Sequence, residues 1–298
     1  MSLASHLLKH LVITKYCNVP WSKSKLSREP KHGKPCYIPE GDVGDHVQID
    51  FNVSHQAGIV SLIAAVGFKS QVDVGTDVVC ANERLKHDYA NIDKDGFFSW
   101  VDMHADVFAE SEVDHMKLAP VSTTELGLSN GEIQGYGKDT ISRCQRRNGK
   151  LNLTITKGGG EADESVQIMS NVVIDAKMRR FYAMWCLRET YVKMTGEALL
   201  APWLRELEIC DVQSPAAKEG IPDSSSLETG EMARNFKIIF KGKLVENVDM
   251  ELSALGEAYM VGGAVRAANP EERSLTAMGK WLELDLEADI LDIAEARS

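Results

Sequence analysis

From residue 47 the chain alternates. Val47, Ile49, Phe51 and Val53 are apolar, and Gln48, Asp50, Asn52 and Ser54 between them are polar. A period of two puts one set on each face of a half-buried strand. Two runs rich in β-branched residues follow at once, Ile59 to Val66 and Val72 to Val79. Together they predict a small antiparallel sheet before residue 80, and the rest of the chain must be arranged around it.

Helical spacing appears on both sides of that sheet. Leu3, Leu7, Leu8, Leu11 and Val12 form a stripe that would pack on a sheet, and a loop rich in Pro, Lys and Gly then runs to residue 45. Phe97, Phe98, Val101, Val107, Phe108 and Met116 mark helical character over 97–118. After Pro120 the chain turns rich in Gly, Ser, Thr and Asn, carries Arg143, Arg146, Arg147 and Lys150, and reaches GGGEADES at 158–165. Such a composition buries little, so residues 121–170 are expected to be a mobile insertion. Order resumes near 172, where MRRFYAMWCLRETYVKM reads as a long helix stopped by Thr195-Gly196. Past a Pro/Ser/Gly-rich loop at 215–230, residues 236–240, 248–252 and 259–265 predict strands of a second sheet. The acidic tail LELDLEADILDIAEARS is expected to add a last strand and then fray.

Composition narrows the class. With 298 residues, 44% of them hydrophobic, the chain can bury a core in one large domain or two lobes. No run approaches the roughly 20 apolar residues of a membrane span. The first residues lack the basic region and small-residue cleavage site of a secretory signal, which places the chain in the cytosol. Cysteines 17, 36, 80, 144, 186 and 210 are scattered without metal-ligand spacing, arguing against a zinc site or a disulfide scaffold. A net charge of −11 disfavours nucleic acid as a partner. Locally, though, Lys15, Lys23, Lys25, Arg28, Lys31 and Lys34 face a single acid, Glu29, and would receive an anionic ligand.

Four short segments carry candidate chemistry. Asp77 interrupts a run that otherwise wants burial, so its carboxylate must be paired, hydrogen-bonded or metal-bound, or else sit at a strand end and cap a turn. Trp185, Glu189 and Lys193 share one face of a helix, with Arg188 about 100° round from Glu189. They would project an acid and two cations toward one place, or form an ordinary exposed Glu-to-Lys pair worth only ~0.3 kcal/mol. Phe51-Asn52-Val53-Ser54-His55 ends a strand with a hydroxyl and an imidazole on opposite faces, which excludes them as nucleophile and base of one triad; no GxSxG elbow is present either. Gly33-Lys34-Pro35 is a tight turn with a cation at its apex, without P-loop spacing.

In this order the segments resemble the surfactin-type 4′-phosphopantetheinyl transferases, whose GKP turn, FNxSH strand, GxDxE segment and WxxKExxxK helix correspond to Gly33–Pro35, Phe51–His55, Gly75–Val79 and Trp185–Lys193. The continuation GEALLAPWLRELE at 196–208 is most similar to the filamentous-fungal branch. The resemblance implies an α+β fold of two pseudo-symmetric lobes, each a small antiparallel sheet packed on a long helix, with the active site in the cleft between them. The boundaries that follow are an N-terminal lobe at 1–72 and a C-terminal lobe at 73–298. It implies transfer of phosphopantetheine from coenzyme A to a serine of an acyl or peptidyl carrier protein, with Asp77 and Glu189 holding Mg²⁺ and Glu112 as a further acid near the metal. Arg28, Lys31, Lys34, Asn52, Ser54 and His55 would bind the nucleotide end of coenzyme A, Arg188 and Lys193 would face its phosphates, and Glu189 would take the serine proton. Carrier domains of polyketide, nonribosomal peptide, fatty acid or lysine-pathway enzymes are the implied partners of a monomeric enzyme. Three departures stand against the pattern. Val79 replaces the last acid of GxDxE, Arg188 stands where lysine is usual, and family members carry a further N-terminal region before the part matched here. The alternative expectation is therefore a weak or inactive remnant that only binds coenzyme A or a carrier.

Overall fold

The computed structural model describes residues 3–39, 47–128, 131–157, 162–197, 199, 201–218, 227–234 and 236–296. The chain opens with α1 (Leu3–Cys17) and a short ribbon of β1 (Leu26–Arg28) and β2 (Pro35–Tyr37). The alternating segment forms β3 (Ile49–Gln56), which turns through Ala57-Gly58 into β4 (Ile59–Val66). Both turn residues have positive φ, 46° and 87°, the backbone that lets a two-residue hairpin follow the twist of its strands. Next come β5 (Val72–Cys80) and the helices α2 (Leu85–Asp95), α3 (Phe97–Asp102) and α4 (Glu110–Leu118). Residues 121–170 contribute β6 (Glu132–Ile133), α5 (Tyr136–Ser142), β7 (Lys150–Thr156) and β8 (Glu164–Met169). The long helix α6 (Ser170–Thr195) stops at Gly196, whose φ of +79° gives the expected left-handed end. After it come β9 (Leu207–Cys210), β10 (Thr229–Ala233), β11 (Lys237–Phe240), β12 (Lys243–Leu244), β13 (Val248–Leu255), β14 (Tyr259–Ala267), α7 (Pro270–Leu275) and α8 (Asp292–Ala296).

The result is a mixed helix and sheet architecture in which every strand pairing among the described residues is antiparallel. The three early strands do not make one sheet. β3 and β4 form a hairpin of their own, while β5 joins the far end of the chain in the order β10-β13-β14-β5. Its register with β14 sets Asp77 opposite Gly262 and Gly75 opposite Ala264. β5 is buried along almost its whole length because α6 covers one face and the β3–β4 hairpin the other: Val72 and Val74 pack with Val265, Ile63 and Ala65. β9, β11 and β12 form a separate sheet.

Two further expectations are corrected. The stretch 121–170 does not bury little: Val121, Leu126, Ile133, Ile141, Leu153 and Ile168 belong to the main core with Phe181 and Leu187 of α6. Its arginines brace α2, Arg146 donating to the carbonyls of Asp93 and Lys94 that α2 leaves unpaired, and Arg147 lying 3.3 Å over the Tyr89 ring. Residues 158–161, inside GGGEADES, lie outside the described residues. The tail adds no strand among the described residues; it forms a π-helical turn (Leu286–Leu291) that runs into α8, with the Asp285 carboxylate accepting from the Glu287 and Ala288 N–H groups at its start.

Candidate functional site

The site begins at a seam between two strands that share no backbone ladder. Three alternate side chains of β3 reach across to β5. Asp50 Oδ2 accepts from Val74 N at 2.8 Å, Asn52 Oδ1 accepts from Thr76 N at 3.1 Å, and Ser54 Oγ donates to Asp77 Oδ1 at 2.7 Å. Lys34 closes one end, donating to Asp50 Oδ2 at 2.6 Å and to Val74 O at 3.0 Å. Asn52 and Lys34, expected to bind ligand, thus hold β3 against β5. Asp50, to which the sequence reading gave no role, shares the face of Asn52 and Ser54 by the same period of two; that parity was the available signal.

Helix α6 reaches Asp77 because two glycines let it lie directly on the sheet. A Cβ on Gly75 would stand 2.3 Å from Thr190 O and 2.5 Å from Met194 N, and one on Gly262 2.3 Å from Thr190 Oγ1. At this distance the face of α6 carrying Cys186, Glu189, Thr190 and Lys193 meets β5. Cys186 Sγ sits 3.5 Å from Asp77 O, and Lys193 Nζ donates to Asp77 Oδ1 at 2.5 Å and to Ser54 Oγ at 2.8 Å. Ser54, Asp77 and Lys193 therefore form one polar triad drawn from β3, β5 and α6.

Glu189 stands beside the triad, half-buried, and makes no hydrogen bond with the described residues. Burial raises its pKa, the neighbouring Asp77 charge raises it further, and Lys193 pulls the other way. Burial likewise pushes Asp77 up, against the lowering effects of Lys193 and Ser54. A carboxylate whose charge its neighbour Asp77 disfavours, and which has no hydrogen-bonding partner among the described residues, suits a small hard cation. Among the described residues no cluster of three or more His, Cys, Asp or Glu is placed to hold a metal. A cation here would take two carboxylates and complete its shell with water and ligand oxygens, the habit of Mg²⁺.

Arg188 and Glu112 are not part of this group. Arg188 is fully buried on another side of α6, donating to Leu204 O at 2.8 Å, to Leu207 O at 2.9 Å and to Glu112. Both Glu112 oxygens are engaged, Oε2 by Arg188 and Ala109 N, Oε1 by Ile209 N. Burial raises the Glu112 pKa and lowers that of Arg188, and each partner offsets the other. The pair ties α4, α6 and β9 together and uses both Glu112 oxygens in doing so. Glu112→Ala is accordingly expected to lower the urea-unfolding free energy by about 3–5 kcal/mol, the cost of stranding a buried charge. A variant as stable as the parent would return Glu112 to the ligand set.

His55 is exposed on the opposite face from Ser54, as the strand period requires. With Ser5, Arg28, Phe51 and Asn52 it lines a cleft of about 260 Å³. Glu29 shapes the adjoining turn by accepting from the Lys31 and His32 N–H groups, and Arg28 Nη1 donates to Gly33 O at 2.8 Å. Lys31 is exposed there. The structure thus brings together Ser54, Asp77, Glu189 and Lys193, sets Arg28 and His55 on a neighbouring cleft, and separates Arg188 and Glu112 from both.

Comparison with known proteins agrees in one direction. A family model described as 4′-phosphopantetheinyl transferase, N-terminal, matches residues 1–67. The chain is similar to the 4′-phosphopantetheinyl transferase of Aureobasidium melanogenum, at 42% identity over 99% of this chain and 84% of that protein. It is similar to 4′-phosphopantetheinyl transferase 1 of Fusarium mangiferae at 34% identity, covering 100% and 79% of the two chains. With 4′-phosphopantetheinyl transferase NpgA of Emericella nidulans it shares 32% identity over 97% of this chain and 80% of the relative.

Proposed function

The chain belongs to the 4′-phosphopantetheinyl transferase family, and from that premise we propose that it moves phosphopantetheine from coenzyme A to a carrier-protein serine with Mg²⁺ held by Asp77 and Glu189. The observation that carries the proposal is the convergence of Asp77, Glu189 and Lys193 beside Ser54. A bound Mg²⁺ would supply neutralising charge to the pyrophosphate of the donor. Glu189, half-buried beside Asp77 and without a hydrogen-bonding partner among the described residues, accepts the proton of the carrier serine. The serine oxygen then bonds to the β-phosphorus as the bond to adenosine 3′,5′-bisphosphate breaks. Lys193 lies close enough to oppose charge that builds on the phosphates.

The cleft beside the triad would take the nucleotide end of coenzyme A, with Arg28 and Lys31 pairing its phosphates and His55 donating to them. The surfactin-type assignment, a two-lobe arrangement divided near residue 72, and a cytosolic monomer serving polyketide, nonribosomal peptide, fatty acid or lysine-pathway carriers all belong to the same proposal. Among the described residues no helix is long and apolar enough to cross a membrane. The remnant reading is set aside because relatives named as transferases match the chain nearly end to end.

The test is the intact mass of an apo carrier protein after incubation with this chain, coenzyme A and Mg²⁺, beside a chelated control. Gain of one phosphopantetheine only with the metal is the expected result. An unchanged carrier, with a known transferase modifying the same sample in parallel, would overturn it.

A further inference from the structure

An i,i+4 pair with Glu N-terminal to Lys on a helix is the favoured order for a local ion pair, and Glu189 and Lys193 have it. The structure does not form that pair. Lys193 turns from its own helix to Asp77, reaching Oδ1 at 2.5 Å and Ser54 Oγ at 2.8 Å, while Glu189 keeps no hydrogen-bonding partner among the described residues. Asp77 Oδ1 then accepts from two groups, the Lys193 ammonium and the Ser54 hydroxyl. The Asp77 side chain is 8% exposed and the Lys193 side chain 29%, so of the two only the lysine has room to swing away.

We propose that Lys193 is a tethered counter-ion for Asp77: its ammonium and a divalent cation would compete for the Asp77 carboxylate, and loading the cation would free Lys193 to turn toward the donor. This rests on the reading of Asp77 and Glu189 as metal ligands. A carboxylate this buried is costly without a positive partner. Lys193 supplies that partner before the cation arrives and must give way when it does. The unpaired Glu189 is the carboxylate open to first contact, and Asp77 the one that exchanges a built-in cation for a borrowed one. Lys193 therefore lowers the affinity of the free enzyme for the metal, and stabilises the metal-free fold.

The test is Mn²⁺ binding to the full chain without coenzyme A, followed by electron paramagnetic resonance, for the parent protein, Lys193→Met and Lys193→Gln. Thermal unfolding with and without Mg²⁺ is measured in parallel. Lys193→Met is expected to bind Mn²⁺ about tenfold more tightly, to melt lower than the parent without metal, and to regain more of its melting temperature on adding Mg²⁺. Lys193→Gln keeps a donor for Asp77 without the charge; its affinity is expected to lie between the two, and it preserves the test should Lys193→Met fail to fold. Equal or weaker Mn²⁺ binding by the folded variants would overturn the counter-ion role alone. No Mn²⁺ binding by the parent or either variant would overturn this inference; the metal reading itself falls if carrier modification also proceeds unchanged in the chelated control.

Discussion

Asp77→Asn is expected to lower carrier modification on the order of 10³-fold while leaving a folded protein. The substitution changes one atom in shape and removes the negative charge. Its remaining carbonyl oxygen still accepts from Ser54, so the β3–β5 seam keeps that bridge. Lys193 is partly solvated and tolerates the loss of its partner. What disappears is the carboxylate that, in the proposed function, shares a cation with Glu189. The measurement is the initial rate of holo-carrier formation at saturating coenzyme A, with circular dichroism to confirm the fold. A loss of less than about tenfold would mean that the chemistry is carried elsewhere.

Gly75→Ala is expected to act through the backbone and to damage fold and site together. The added methyl carbon would fall 2.3 Å from Thr190 O, 2.5 Å from Met194 N and 2.8 Å from Met194 Cα. These are main-chain atoms inside α6, so no side chain can rotate out of the way; the helix must lift from the sheet. Overpacking of a well-filled core costs about 1–3 kcal/mol, and lifting a helix from its sheet belongs at or beyond the top of that range. The same lift carries Glu189 and Lys193 away from Asp77, and a 1 Å misplacement of catalytic groups is worth about 10²-fold in rate. Urea unfolding and the transfer rate should therefore fall together. Gly279→Ala is the control, since no atom lies within 4 Å of its added carbon. A Gly75→Ala protein with parental stability and rate would show that the close contact of α6 and β5 is dispensable.

The parts of the site that were legible in the sequence are those fixed by local periodicity. The period of two from Val47 placed Ser54 and His55 on opposite faces of a strand, and helical spacing placed Glu189 and Lys193 one above the other. Arg188, expected beside the phosphates, lies in the core for a geometric reason. An angle of about 100° from Glu189 is compatible with the same cleft or with the core. The choice is made by where Gly75 and Gly262 seat the helix, and Gly262 lies far away in sequence. The partners of Glu112 were not legible, because Arg188, Ile209 and Ala109 reach it only once the chain has folded. The pairing of β5 with β14 was hidden by the same distance. In 121–170, polar Thr, Asn and Ser diluted a strand alternation that still buries Leu153, Ile155 and Ile168.

The seam between β3 and β5 gives the site an unusual kind of addressing. A backbone ladder is blind to residue identity, and two strands joined by one can slide by a pair of residues without losing a hydrogen bond. β3 and β5 are joined instead by a carboxylate and an amide that accept from the Val74 and Thr76 N–H groups and a hydroxyl that donates to Asp77. A slide of two residues would set the amide where the carboxylate belongs, leaving Lys34 facing a neutral group and Asp77 without its hydroxyl. A slide of one would turn the aromatic ring of Phe51 and the branched side chain of Val53 into the joint. Only one alignment satisfies all three bridges, and it is the one that delivers Ser54 to Asp77. Alignment is thus spelled out letter by letter along a single strand, so a spelling error at Asp50 or Asn52, remote from any reacting atom, would be read out as a misplaced hydroxyl at the site.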